Sequence, residues 1–152
     1  MSEISTKTVA QTETLNAFAT LRFSGDRLEP DRVTGILGIQ PTTAYRKGDV
    51  YRQSRGHEVR GRTGVWYLST RRCVDSNQLA DHLRHLTAVV SPEGRADHIL
   101  ALRDLMARDG LEADVSCFWY GGAGAHSPEI PAFARDVFAR LGAAIELDFD
   151  TD

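Results

Sequence analysis

Cysteine is scarce in this sequence, long apolar runs are absent, and the short motifs that announce common chemistries do not occur. The two cysteines, Cys73 and Cys117, stand far apart and form no C-x-x-C pair, so neither zinc ligation nor dithiol exchange is indicated, and a reducing cytoplasm is the expected setting. No apolar stretch approaches the ~18 residues of a membrane span, which argues against a membrane protein. The opening residues 1–16 are polar and lack the apolar core of a signal peptide; they read as a flexible tail ahead of a single domain over 17–152. The phosphate-cradling G-x-x-x-x-G-K-[ST], the dinucleotide-binding G-x-G-x-x-G, the zinc-binding H-E-x-x-H and the nucleophile elbow G-x-S-x-G are all missing. No cofactor or metal is expected, and enzyme activity is unsupported.

What is present suits a folded domain. A chain of 152 residues, 41% hydrophobic and 26% charged, has the composition of a globular protein and the length to bury roughly 68–70% of its unfolded surface. A net charge of -3 and a pI near 5.9 argue against a protein that coats nucleic acid nonspecifically.

The periodicity predicts strands and helices in a mixed order. Ala19, Leu21 and Phe23 alternate with Thr20, Arg22 and Ser24, as in a half-buried strand. A short helix should start at Pro30, bury Val33, Ile36 and Leu37, and stop at Gly38, with Pro41 preventing its resumption. Thr42 to Arg46 and Gly64 to Thr70 read as strands. A helix capped at Asp75 or Ser76 should carry Leu79, Leu83, Leu86 and Val90, and a second, about Arg95 to Arg108, should bury Ile99, Leu102, Leu105 and Met106. Leu111 to Trp119 alternates again. A glycine-rich connection over 121–125 then leads to a helix with Ile130, Phe133, Val137, Phe138 and Leu141 on one face, for which Ser127-Pro128-Glu129 offers a start and Pro131 a reason for a later one. The last strand is expected to turn Ala143, Ile145, Leu147 and Phe149 inward and Glu146, Asp148 and Asp150 outward. A weak internal repeat links FSG…EPDRVTGILG to WYGG…SPEIPAFARDVFARLG, each a strand, a turn, a Pro-initiated helix, a Leu-Gly stop and a strand. The fold expected is α+β: about five strands in a mixed or antiparallel sheet, helices packed on one face and the other face wet.

Several of these segments together resemble a bacterial family, the domain of unknown function 4279: SGDRLEPDRVTGILGIQPTTAYRKGD (24–49), TGVWYLST (63–70), LADHLRHL (79–86), DVSCFWYGG (114–122) and LGAAIELDFD (141–150). The resemblance spans nearly the whole chain beyond the tail and implies a compact α+β domain, with no catalytic residues to carry over. The segment from Val50 to Arg62 is where such a family is expected to vary.

The strongest chemical signal is a basic arm over 45–62, with Arg46, Lys47, Arg52, Arg55, Arg60 and Arg62 against only Asp49 and Glu58, and with Tyr45 and Tyr51 offering stacking surfaces. Such an arm clamps phosphates and bases, stays solvated, or answers the protein's own acids. If the strand bearing Glu112 and Asp114 and the strand bearing Glu146, Asp148 and Asp150 are neighbours, their like charges need cations between them, and the arm is the expected source. A second candidate surface is the corner where Phe118 and Tyr120 interrupt a polar face beside Gly121, Gly122 and His126. His82, His85 and His98 are explained by packing and surface pairing without a metal. The function these features favour is a non-catalytic module, adaptor or immunity-like, that binds a protein partner or a second copy of itself. An anionic ligand or nucleic acid on the arm is the alternative, and an enzyme with His126 as acid or base at the glycine loop the third reading.

Overall fold

The structure is a computed structural model that describes residues 16–53, 56–92 and 98–151. Its elements run β1 (Ala17–Gly25), α1 (Pro30–Leu37), β2 (Thr43–Tyr45), β3 (Val50–Arg52), β4 (Glu58–Arg60), β5 (Gly64–Ser69), α2 (Leu79–Val90), α3 (Ile99–Asp109), β6 (Glu112–Tyr120), α4 (Ala132–Leu141) and β7 (Ala144–Asp150). Five strands form one sheet in the order β2-β5-β1-β6-β7, and β3 and β4 form a separate hairpin. All pairings in the large sheet are antiparallel except β6 with β7. The expected α+β fold is the one observed.

β1 sits at the centre because its alternation is the cleanest in the chain. Ala17, Ala19, Leu21 and Phe23 are buried on the side that the helices cover, while Phe18, Thr20, Arg22 and Ser24 lie on the other. Phe23 meets Trp66 of β5 edge to face, with ring centroids 5.9 Å apart, and the Trp66 indole N–H donates to Thr34 Oγ1 of α1 at 3.0 Å. The largest core side chain is therefore buried with its one polar atom satisfied. α1 begins on Pro30, as expected, and ends where Gly38 adopts a left-handed φ of 71°.

Both halves of the internal echo are strand, helix, parallel strand. They differ in register: β5 lies between β1 and β2, whereas β6 and β7 are neighbours. The insertion follows from the antiparallel pairing of β5 with both β1 and β2.

Three expectations are corrected. α2 starts at Leu79 with Gln78 at the N-cap, because Ser76 is otherwise engaged: its hydroxyl donates to Asp81 at 2.6 Å and its carbonyl accepts from His82 Nε2 at 2.7 Å. That carbonyl only accepts, so Nε2 carries a proton, while Nδ1 is within hydrogen-bond distance, 2.6 Å, of the Thr70 hydroxyl. His82 is fully buried, and its two nitrogens tie α2 to Thr70, just past β5, and to the Ser76 carbonyl in the preceding loop. Next, α4 starts at Ala132, after Pro131, and not at Ser127. Finally, Leu147 does face the helical side but is 56% exposed, because β7 is the last strand and α4 stops short of covering its edge. The start of the second helix, residues 95–97, lies outside the described residues, as do residues 1–15 of the expected tail; Asn16 is described, and its carbonyl accepts from the Tyr120 N–H at 2.8 Å.

Candidate functional site: the open sheet face

The face of the sheet opposite the helices brings together three of the expected site residues, Tyr45, Phe118 and Tyr120, while the arm cations, the glycines and His126 lie elsewhere or outside the described residues. Strand parity places Tyr45, Thr43, Tyr67, Val65, Arg22, Thr20, Phe18, Asp114, Phe118, Tyr120, Glu146, Asp148 and Asp150 on it. Their arrangement divides it into a covered end, a clamped middle and an open aromatic end.

At the covered end, the β3–β4 hairpin folds onto β2 and β5. The rings of Tyr45 and Tyr51 stack with centroids 4.3 Å apart at 12°. Gly61 allows the approach, since a Cβ at that position would lie 2.8 Å from two atoms of the Tyr45 ring. Val65, opposite Tyr45 in the register, is consequently only 4% exposed although no helix covers it. Burial, and then the neighbouring Tyr51 hydroxyl, push the Tyr45 phenol up to about 12.

In the middle, Arg22 lies across from Asp114 in the β1–β6 register. Its Nε donates to Asp114 and its Nη2 donates to Glu146 at 2.8 Å, so one guanidinium joins carboxylates on two successive strands. The Asp114 bond above all, opposed by partial desolvation, raises the Arg22 pKa further above its ordinary range. β6 and β7 are indeed neighbours and do need a cation, but β1 supplies it and the arm does not. The arm lies at the other end of the sheet, beyond β5, and bonds acids of the β1–α1 turn: Arg46 pairs with Glu29 at 3.0 Å and Lys47 with Asp26 at 3.1 Å. Arg60 donates to the Gly48 carbonyl. Arg52 and Arg62 are exposed, and Arg55 lies outside the described residues.

At the open end, Phe118 stacks on its register partner Phe18, with centroids 4.9 Å apart at 23°, and the Arg71 guanidinium lies 5.2 Å from the Phe18 centroid. Tyr120 is 42% exposed. Beside these aromatics stand acids of β7: Asp148 is the partner of Phe118 and Asp150 of Tyr120. This pairing of π faces with carboxylates complements cations.

The glycine corner separates from this surface. Gly121 is buried and lies against the Trp119 ring, which a Cβ there would approach within 2.3 Å, and its N–H donates to the Asp150 carbonyl. Gly122 is open and accepts from Ala125 in a turn. α4 starts only at Ala132, so the loop does not abut a helix N-terminus as a phosphate cradle would. His126 is exposed, and no nucleophile or carboxylate among the described residues bonds it. Cys117 is buried on the helical side, where desolvation pushes its thiol up to about 12. Among the described residues no group of three or more metal-ligating side chains is gathered, and no helix is long and apolar enough to cross a membrane.

Phe18 and Arg22 are the parts of this surface that sequence reasoning did not single out. Phe18 shares the parity of Arg22 and was legible as an aromatic on the polar face of β1. The Arg22 clamp required knowing that β1 lies beside β6.

An open-faced α+β sandwich with a hairpin folded over one corner is the class of protein these elements define. The match to the family model described as Domain of unknown function (DUF4279) covers residues 13–152, and the chain belongs to that family. No curated protein and no solved structure matches it.

Proposed function

We propose that this domain is a non-catalytic interaction module, of adaptor or immunity-like type, that recognises a protein partner through the aromatic end of its open sheet face. The observation that carries the reading is the stacked Phe18–Phe118 pair with exposed Tyr120 alongside and Asp148 at its flank. Stacked, rigid aromatics on a solvent-facing sheet supply the anchor area that protein interfaces concentrate, and the flanking carboxylates select cationic side chains on the partner. Two features weigh against the anion-binding alternative: in the arm, Arg46 and Lys47 are held by Glu29 and Asp26, and at the other end of the sheet the aromatic surface is bordered by acids that repel phosphate. The enzyme reading gains no support from an exposed His126 without a bonded partner.

The test is site-specific photo-crosslinking in the native host, with the reactive residue at position 118 or 120 and, as control, at Arg103 on the exposed side of α3. A discrete protein adduct from 118 and 120 only, weakened about tenfold or more by a second substitution Phe18→Ser, is the expected result. Equal adducts from all three positions, or oligonucleotide adducts, would sink the reading.

A further inference from the structure

The sheet ends in two edges, one short and overlaid on its open face, the other long and uncovered. β2 spans three residues and is overlaid by the β3–β4 hairpin. β7 spans seven, and no strand of the described residues lies beyond it. On the helical side of β7, exposed Leu147 joins Pro128, Glu129, Ile130 and Arg135 around a groove of about 430 Å³. On the open side, Glu146, Asp148 and Asp150 stand in a row.

We propose that β7 receives an extended segment of the partner as a sixth strand, one that alternates basic and aliphatic side chains; this rests on the partner-binding reading above. An added strand sends successive side chains to opposite faces. Its residues of one parity would pass over the acidic row and those of the other would enter the groove lined by Leu147 and Ile130. Backbone hydrogen bonds supply affinity in such an addition, and the two rows supply specificity. Charge decides the occupant. A second copy pairing β7 with β7 would bring the acidic rows together, which opposes association, whereas a Lys- or Arg-bearing strand complements them. Acids also guard bare edges against aggregation, but a guard needs no groove holding Ile130 and exposed Leu147 on the other side of the same strand.

The test uses the full chain and a fluorescein-labelled, eight-residue peptide alternating lysine and valine, followed by anisotropy. Saturable binding is expected, with Leu147→Lys and Asp148→Lys each weakening it about fivefold or more; both positions are exposed, so these variants stay folded, as circular dichroism checks. Because alternate N–H groups of a strand point to one edge, methylating either all lysine or all valine backbone nitrogens should weaken binding about tenfold, and methylating the other set should be tolerated. Amide exchange should slow in β7 and not in β2. Binding that tolerates both methylations, protection confined to other strands, absence of saturable binding, or a dimer that Asp148→Lys disrupts would each overturn the proposal. A peptide excluded from β7 while the crosslinks from position 118 persist removes the edge alone; loss of both removes the interaction module itself.

Discussion

The two ends of the open sheet face solve the same exposure problem in opposite ways. At the β2 end the chain covers itself: a hairpin brings Tyr51 onto Tyr45, shields Val65, and anchors its root through Arg46–Glu29 and Lys47–Asp26. At the β7 end the chain leaves the strand bare and lines it with carboxylates, with Leu147 exposed on the reverse side. Self-coverage shields side chains beside a short edge strand; a seven-residue edge strand lined with carboxylates is selective toward what approaches it. The difference separates what holds the fold from what is free to bind.

The largest effect is expected where coverage depends on a close approach. Gly61→Val places a side chain against the Tyr45 ring and should cost about 2 kcal/mol in chemical denaturation, as overpacking does, with faster amide exchange in β2 and unchanged exchange in β7. Equal acceleration in both strands would erase the contrast between the ends. Arg22→Met removes the cation between Asp114 and Glu146. Both pairs are partly or largely exposed, so the expected loss is about 1 kcal/mol, smaller at high salt; a loss insensitive to salt would show that packing of the side chain matters more than its charge.

The covered end should also carry a pH signature. The folded pKa of Tyr45 is raised, so its neutral form is favoured by folding: this contribution is complete below the ordinary pKa of 10.0 and is lost as pH rises toward about 12. Asp26 is shifted the other way, its carboxylate held below 3.8 by Lys47 and then by Thr63, so its contribution is present above that value and disappears as pH falls through the lowered one. Ultraviolet titration of the tyrosines should therefore find one that ionises late in the native protein, and Tyr51→Leu should bring it earlier. The smallest effect belongs to the bare end: Asp148→Lys should change stability by no more than about 0.5 kcal/mol, since the side chain is exposed. A large loss there would mean that the acidic row supports the fold.

Much of the architecture was legible in local pattern. The alternation of β1 and β6, the helical stripes of α2 and α4, and the stops at Gly38 and Gly142 are short-range features with a direct physical cause. Phe118 and Tyr120 stood out because they broke a polar face. The destination of the basic arm was not legible: its cations are opposite in sign to the acids of β6 and β7, and nothing local says that β5 and β1 lie between them. Nor was the loss of Ser76 as the cap of α2 legible, because His82 takes its carbonyl from six residues away.

By itself, then, the sequence determined which residues alternate, where helices stop, that the arm is basic and that the last strand is acidic, because each follows from neighbours along the chain. Only the tertiary structure decided that Arg22 serves the acids of β6 and β7, that Tyr51 shields one end, and that Leu147, apolar and facing the helical side, stands uncovered. Those outcomes depend on strand order, and strand order is set by pairings between residues distant in sequence.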